Sequence, residues 1–201
     1  MKSYPVKRVC GIPDWSAVPT LSIDHWNTED RAEVAAWAQI AYDEERLWVH
    51  LSATETNLRM QEGGSLPRSW EDSCLEFFFC PMPGDDRYFN IEMTPACALY
   101  LGVGTGNTAE RLRLLPKDAD TVFGQTSKIT QDGWELFYAV PYSFIRRLFP
   151  DFKAERGVEL RANCYKCGDL TDHPHWLSWN PITKVPLSFH SPADFGTLIF
   201  E

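Results

Sequence analysis

The sequence predicts an all-β fold, an antiparallel β-sandwich with one or two short helices. Three observations predict it. Apolar residues recur at every second position along many short stretches, the mark of strands with one buried face. Turn-forming clusters separate these stretches at short intervals. Fourteen prolines and twelve glycines, spread along 201 residues, break up any long helix.

The strands can be taken in order. In RLWVHLS, Leu47, Val49 and Leu51 face one way and Trp48 and His50 the other. In RYFNIEMT, Phe89, Ile91 and Met93 oppose Tyr88, Asn90, Glu92 and Thr94. In GVELRANCY, Val158, Leu160, Ala162 and Cys164 alternate with Glu159, Arg161, Asn163 and Tyr165. GWELFYAVPY and the closing FGTLIFE are further strands. Between them lie EGGS, PMPGDD, GVGTGN, QDG, ERG and HSPADFG, all rich in turn formers. The segment EDRAEVAAWAQIAYDEERL is ambiguous: its alanines favour helix, yet Val34, Ala36, Ala38 and Ile40 also alternate. PYSFIRRLFP predicts a short helix with Ser143 as cap and Pro150 just past its end. No repeat or linker interrupts the pattern, so residues 1–201 are expected to form one domain.

Composition narrows the function. A formal net charge of -9 without a basic cluster argues against a nucleic-acid partner. No run of about 18 apolar residues offers a membrane-spanning helix. The opening MKSYPVKRVCGIPDW places charge and proline where a signal peptide carries an apolar segment. The expectation is a cytoplasmic chain as given, or a secreted one whose leader lies outside it; oligomeric state is not readable. The six cysteines are expected to be free and mostly buried. CYKC at 164–167 has redox or half-zinc spacing, but Cys74 and Cys80 do not supply the second pair.

Two features point to a binding face. RSWEDSCLEFFFC sets one carboxylate, Glu76, among apolar strand residues. An ionised carboxylate buried without a partner costs several kcal/mol, so Glu76 must meet solvent, a cation, an arginine or a ligand. Arg161 is the internal candidate partner. Asn90 with Glu92, and Arg161 with Asn163 and Tyr165, supply further polar strand faces. Eight tryptophans exceed what a core of this size requires. Trp70 stands in a loop, and Trp176 and Trp179 in HPHWLSWNP lie three apart, so one packs and one presents a face; Trp179 is expected to present. Aromatic faces over a polar floor suit a sugar, whose C–H faces stack and whose hydroxyls bond planar polar groups. A glycan hydrolase using acidic residues such as Glu76 and Glu92 remains the alternative. His173 and His175 read as exposed turn histidines, and GVGTGN lacks the spacing of a dinucleotide fingerprint.

The ordered set AYDEERLWVHLSATE, SWEDSCLEFFFCP, RYFNIEMTP, GWELFYAVPYSFI, RANCYKCGD, and SWNP with FHSPADFGTLIF resembles the family 9 carbohydrate-binding modules, within the DOMON-like β-sandwich group. The resemblance spans about residues 15–201 and implies a jelly-roll-like sandwich in which the alanine-rich stretch is a strand. It implies non-catalytic binding of a mono- or disaccharide, or of the end of a β-glucan or xylan chain, in association with glycoside hydrolases and polysaccharide breakdown. Two tryptophans clamp the sugar in that family; by position Trp70 matches one and Trp179, with Trp176 nearby, the other. Glu76 matches the strand carboxylate, while Asn90 stands where some members carry arginine. The resulting ligand-binding set is Trp70, Glu76, Asn90, Glu92, Arg161, Asn163, Trp176 and Trp179, with no catalytic residue. The family also binds calcium, for which Asp43 and Asp72 are the nearest candidates. A DOMON-type haem site would need axial Met or His, and Met93 falls on the expected core face.

Overall fold

A computed structural model describes residues 1–29, 31–115 and 122–201. Among the described residues fourteen strands follow in chain order: β1 (Ser3–Arg8), β2 (Leu21–Ile23), β3 (His25–Trp26), β4 (Ala35–Tyr42), β5 (Arg46–Thr54), β6 (Cys74–Phe79) and β7 (Tyr88–Met93). They continue as β8 (Leu99–Gly104), β9 (Leu112–Arg113), β10 (Thr126–Ile129), β11 (Trp134–Pro141), β12 (Glu159–Gly168), β13 (His175–Ser178) and β14 (Gly196–Phe200). The alanine-rich stretch is β4: Ala36, Ala38 and Ile40 are buried while Trp37 and Gln39 point away from the core. Small side chains let it pack closely between its neighbours, which overrides their helix propensity.

The strand order is β10-β11-β5-β4-β1-β14-β12-β6-β7-β8-β9, with β2 paired to β4 and β13 bridging β12 and β3. Pairing is antiparallel except at β1, which runs parallel to both β14 and β4 and so joins the two halves of the sandwich. That junction departs from the purely antiparallel expectation. The core lies between the halves, with Val49, Leu51 and Leu136 facing Phe77, Phe89 and Ile91. Each such side chain contributes roughly 1.5–3 kcal/mol by leaving water. The predicted short helix is α1 (Tyr142–Ile145), but Pro141 occupies its N-cap position and Ser143 lies inside it. The fixed φ of proline suits that entry, so no hydroxyl cap is needed.

A buried polar network anchors β12 and β13. The Lys166 ammonium, 0% exposed, bonds Glu55 at 3.1 Å, His175 Nε2 at 2.7 Å and the Cys167 carbonyl at 2.8 Å. Glu55 also accepts from Ser73 at 2.9 Å and from the Trp134 indole at 3.1 Å. His175 is therefore a buried member of this network rather than an exposed turn residue. Burial, then the neighbouring Lys166 charge, lowers its pKa to about 4. Among the described residues no helix is long and apolar enough to cross a membrane.

Candidate functional site

Beyond the core, β6, β7, β8 and β12 present a second face. Register aligns Tyr100, Glu92, Glu76 and Tyr165 in one row across these four strands. Period-two alternation explains it: Leu75, Phe77 and Phe79 turn into the core, and Cys74, Glu76 and Phe78 turn the other way. Part of this face is closed by Phe78, Tyr88, Tyr165 and Phe195, a small apolar cluster on which Phe189 packs. Beside it opens a cavity of about 430 Å³. Glu76, Glu92 and Cys167 line it from the strands, and Trp70, Trp176, Tyr100 and Asp169 also line it. Arg111 and the segment Leu187–His190 complete it.

Each aromatic is positioned by identifiable bonds. Trp70 sits on a 3₁₀ turn, Ser69–Glu71, with its carbonyl accepting from the Asp169 N–H at 3.0 Å. Its indole meets Tyr100 edge-on, 5.4 Å between centroids, and Arg113 lies over the other ring at 4.4 Å. Asp72 fixes the loop that carries Trp70: its carboxylate pairs with Arg59 and accepts from the N–H groups of Gln61 and Glu62 at 2.8 and 2.7 Å. Trp176 lies opposite Cys167 in the β12–β13 ladder and donates its indole N–H to Asp169 at 2.6 Å.

The floor is acidic but not freely ionised. Burial raises Glu76 well above the ordinary carboxylate range, and the neighbouring Cys167 and Glu92 add to the rise. The Cys167 thiol donates to Glu76 at 2.9 Å. Burial raises Glu92 to about 7, with Asn90, Arg111 and Arg113 pulling it back. Glu92 Oε2 and both amide atoms of Asn90 are buried without a hydrogen bond of ordinary geometry. Arg111 contacts His190, whose pKa burial and the charges of Arg111 and Lys184 lower to about 3. The cavity thus sets buried carboxyl groups, each holding a proton more readily than a free carboxylate, beside half-buried aromatic rings.

Of the expected ligand set, Trp70, Glu76, Glu92 and Trp176 come together around this cavity. Trp179 does not: it is 4% exposed and packs in the core over Gly196, where an added Cβ would lie 2.7 Å from the indole. Trp179 shares the core-facing parity of Leu177, whereas Trp176 has the opposite parity, so the presenting tryptophan is Trp176. Asn163 is sealed, bonding Asn180 through both its amide group and its carbonyl oxygen. Arg161 reaches Asp86 and the carbonyls of Asp85 and Pro192, so the expected Glu76–Arg161 bridge is not formed. Asn90 is 2% exposed, on the face of Glu92 but outside the cavity lining. Met93, fully buried in the main core, is not placed to ligate a haem.

The two calcium candidates are each engaged within the protein. Asp43 accepts from Glu45 and Arg46 N–H groups and from the Trp48 indole, and Asp72 is filled as described.

Sequence reasoning missed Tyr100, Arg111, Asp169 and His190. Tyr100 was within reach, since it alternates with the buried Leu99 and Leu101. The others come from connections whose course alternation does not describe.

The carbohydrate-binding family 9 model matches residues 14–200. A candidate carbohydrate-binding protein from Bacteroides uniformis ATCC 8492 is similar, with 31% identity, a TM-score of 0.84, and coverage of 100% of this chain and 99% of that one. A family 9 module from Caldicellulosiruptor kristjanssonii, solved with cellotriose, has a TM-score of 0.70 at 11% identity, covering 100% of this chain and 94% of that one. The same kind of module solved with glucose gives 0.66 at 12%, covering 100% and 96%. No curated protein matches the sequence. This chain belongs to carbohydrate-binding family 9.

Proposed function

We propose that this protein binds carbohydrate without catalysis, taking a mono- or disaccharide, or the end of a β-glucan or xylan chain, in the cavity between Trp70 and Trp176. The observation that carries this reading is the convergence of two indoles and two buried carboxyl groups on one opening. The indoles supply apolar faces for the C–H surface of a ring, and Glu76, Glu92 and Asp169 meet its hydroxyls. Buried carboxyl groups that hold a proton more readily than free ones suit a neutral polyol, because they bond hydroxyls at a smaller cost in buried charge. Family membership and the sugar-bound Caldicellulosiruptor modules support the same reading.

Stacking worth about 1–3 kcal/mol per ring, by analogy with bases on aromatics, and a few hydrogen bonds give a micromolar to millimolar Kd. Titrating tryptophan fluorescence with glucose, cellobiose and xylobiose tests it. A saturable response to at least one sugar, weakened in Trp70→Ala and Trp176→Ala, is expected. No response to any of the three sinks the proposal.

A glycan hydrolase is the second reading, favoured by one observation: Glu76 and Glu92 are direct cross-strand partners. Such partners have Cβ atoms about 4.5–5.5 Å apart, near the separation of retaining carboxylate pairs. Release of aryl aglycone from model glycosides, lost in Glu76→Gln, would establish it.

A further inference from the structure

Beneath the cavity, three ligating groups meet that come from two strands and no shared motif. Cys74 on β6 and Cys167 on β12 are register partners, and Glu76 follows two residues after Cys74 on the same face. The two Sγ atoms and a Glu76 carboxylate oxygen all lie within 4.8 Å of one another. The three residues are 0%, 1% and 2% exposed. Cys164, the other cysteine of the CYKC segment, turns into the main core, so the local spacing is not what assembles the group.

We propose that Cys74, Glu76 and Cys167 form a binding site for a thiophilic divalent cation of the zinc and cadmium class. The donor set decides the class: two thiols and one carboxylate suit a soft or borderline ion, whereas calcium requires six to eight oxygens. The geometry fits, since two thiolates on a tetrahedral zinc at about 2.3 Å each stand about 3.8 Å apart. On binding, both thiol protons, and any proton on the Glu76 carboxyl, leave to solvent and the metal takes their place. Among the described residues no Lys, Arg or His stands within ion-pair distance of Glu76; the Lys166 ammonium, whose charge acts on Cys74, is paired with Glu55. Glu76 and Cys167 line the open cavity, which gives an ion a path and leaves room for water as a further ligand. A second observation points the same way. Glu92 Oε2, buried and without a hydrogen-bond partner, lines that cavity and can accept from a metal-bound water.

The test uses the full chain, reduced and freed of metal, carrying Cys10→Ser to remove the exposed surface thiol. Titration with cadmium chloride should raise a thiolate-to-metal charge-transfer band that saturates at one equivalent, with at least two protons released per ion. Cys74→Ser and Cys167→Ser should each weaken binding by more than about 100-fold, and Cys80→Ser should leave it unchanged. A flat absorbance through excess cadmium, or a band that survives in both Cys74→Ser and Cys167→Ser, overturns the proposal. Should either serine variant fail to fold, proton release from the parent decides: two or more protons support the site and fewer than two refute it. No sugar enters the measurement, so its failure leaves the carbohydrate reading untouched.

Discussion

The Asp169 carboxylate accepts the indole N–H of Trp176 at 2.6 Å, while the backbone N–H of Asp169 bonds the carbonyl of Trp70 at 3.0 Å. One residue past the end of β12 thus links both cavity tryptophans. A hydrogen bond to a charged acceptor contributes about 1.5–3 kcal/mol. Asp169→Ala should weaken sugar binding roughly 10-fold or more by freeing the Trp176 ring. Asp169→Asn keeps an acceptor and should restore most of the affinity. Calorimetric titration with cellobiose compares them; equal affinity in wild type and Asp169→Ala would show that the indole needs no such support.

The three C-terminal and loop tryptophans should separate binding from stability. Trp70→Ala and Trp176→Ala each remove a half-buried ring, and each should cost about 5- to 150-fold in affinity with little change in melting temperature. Trp179→Ala removes a core ring and should lower stability by about 3–5 kcal/mol. Thermal melts beside sugar titrations read both effects.

This division shows what the sequence made legible. Alternation located the strands and the core faces, because a half-buried strand must repeat every two residues. It also holds the answer to the Trp176 and Trp179 choice, since Leu177 fixes the parity, whereas family position points to Trp179. What alternation cannot supply is register between strands distant in sequence. The meeting of Cys74 with Cys167, and of Glu76 with Glu92, depends on that register. Nor does composition reveal that the ammonium of Lys166 is wholly buried, because its partner Glu55 lies 111 positions away across the fold. The β1 junction was hidden for a similar reason: parallel pairing leaves no local turn signal.

Glu92 should give stability a measurable pH dependence. Burial raises it from an ordinary 4.5 to about 7. The folded chain therefore holds a proton that the unfolded chain has released, so this contribution is full below about pH 4.5 and lost as pH rises to about 7. The shift corresponds to on the order of 3 kcal/mol. Glu92→Gln should lose less stability than wild type between pH 5 and 7, as read by denaturant melts across that range. Parallel pH profiles for the two proteins would contradict a buried, proton-holding Glu92.

The Arg59–Asp72 pair should govern the Trp70 loop. Asp72 is fully buried, and Arg59→Ala leaves its carboxylate with backbone donors alone. Removing one partner of a buried pair costs about 3–5 kcal/mol. Arg59→Ala should lower the melting temperature and weaken sugar binding together, although Arg59 does not line the cavity.

The central claim is that Trp70 and Trp176 together receive the ligand. Its most direct test is a two-dimensional amide spectrum of the ¹⁵N-labelled chain, followed through the tryptophan indole N–H signals during cellobiose titration. The signals of Trp70 and Trp176 should move and saturate together while those of Trp134 and Trp179 stay in place. Movement of Trp179 with Trp70 and Trp176 unmoved would contradict the account.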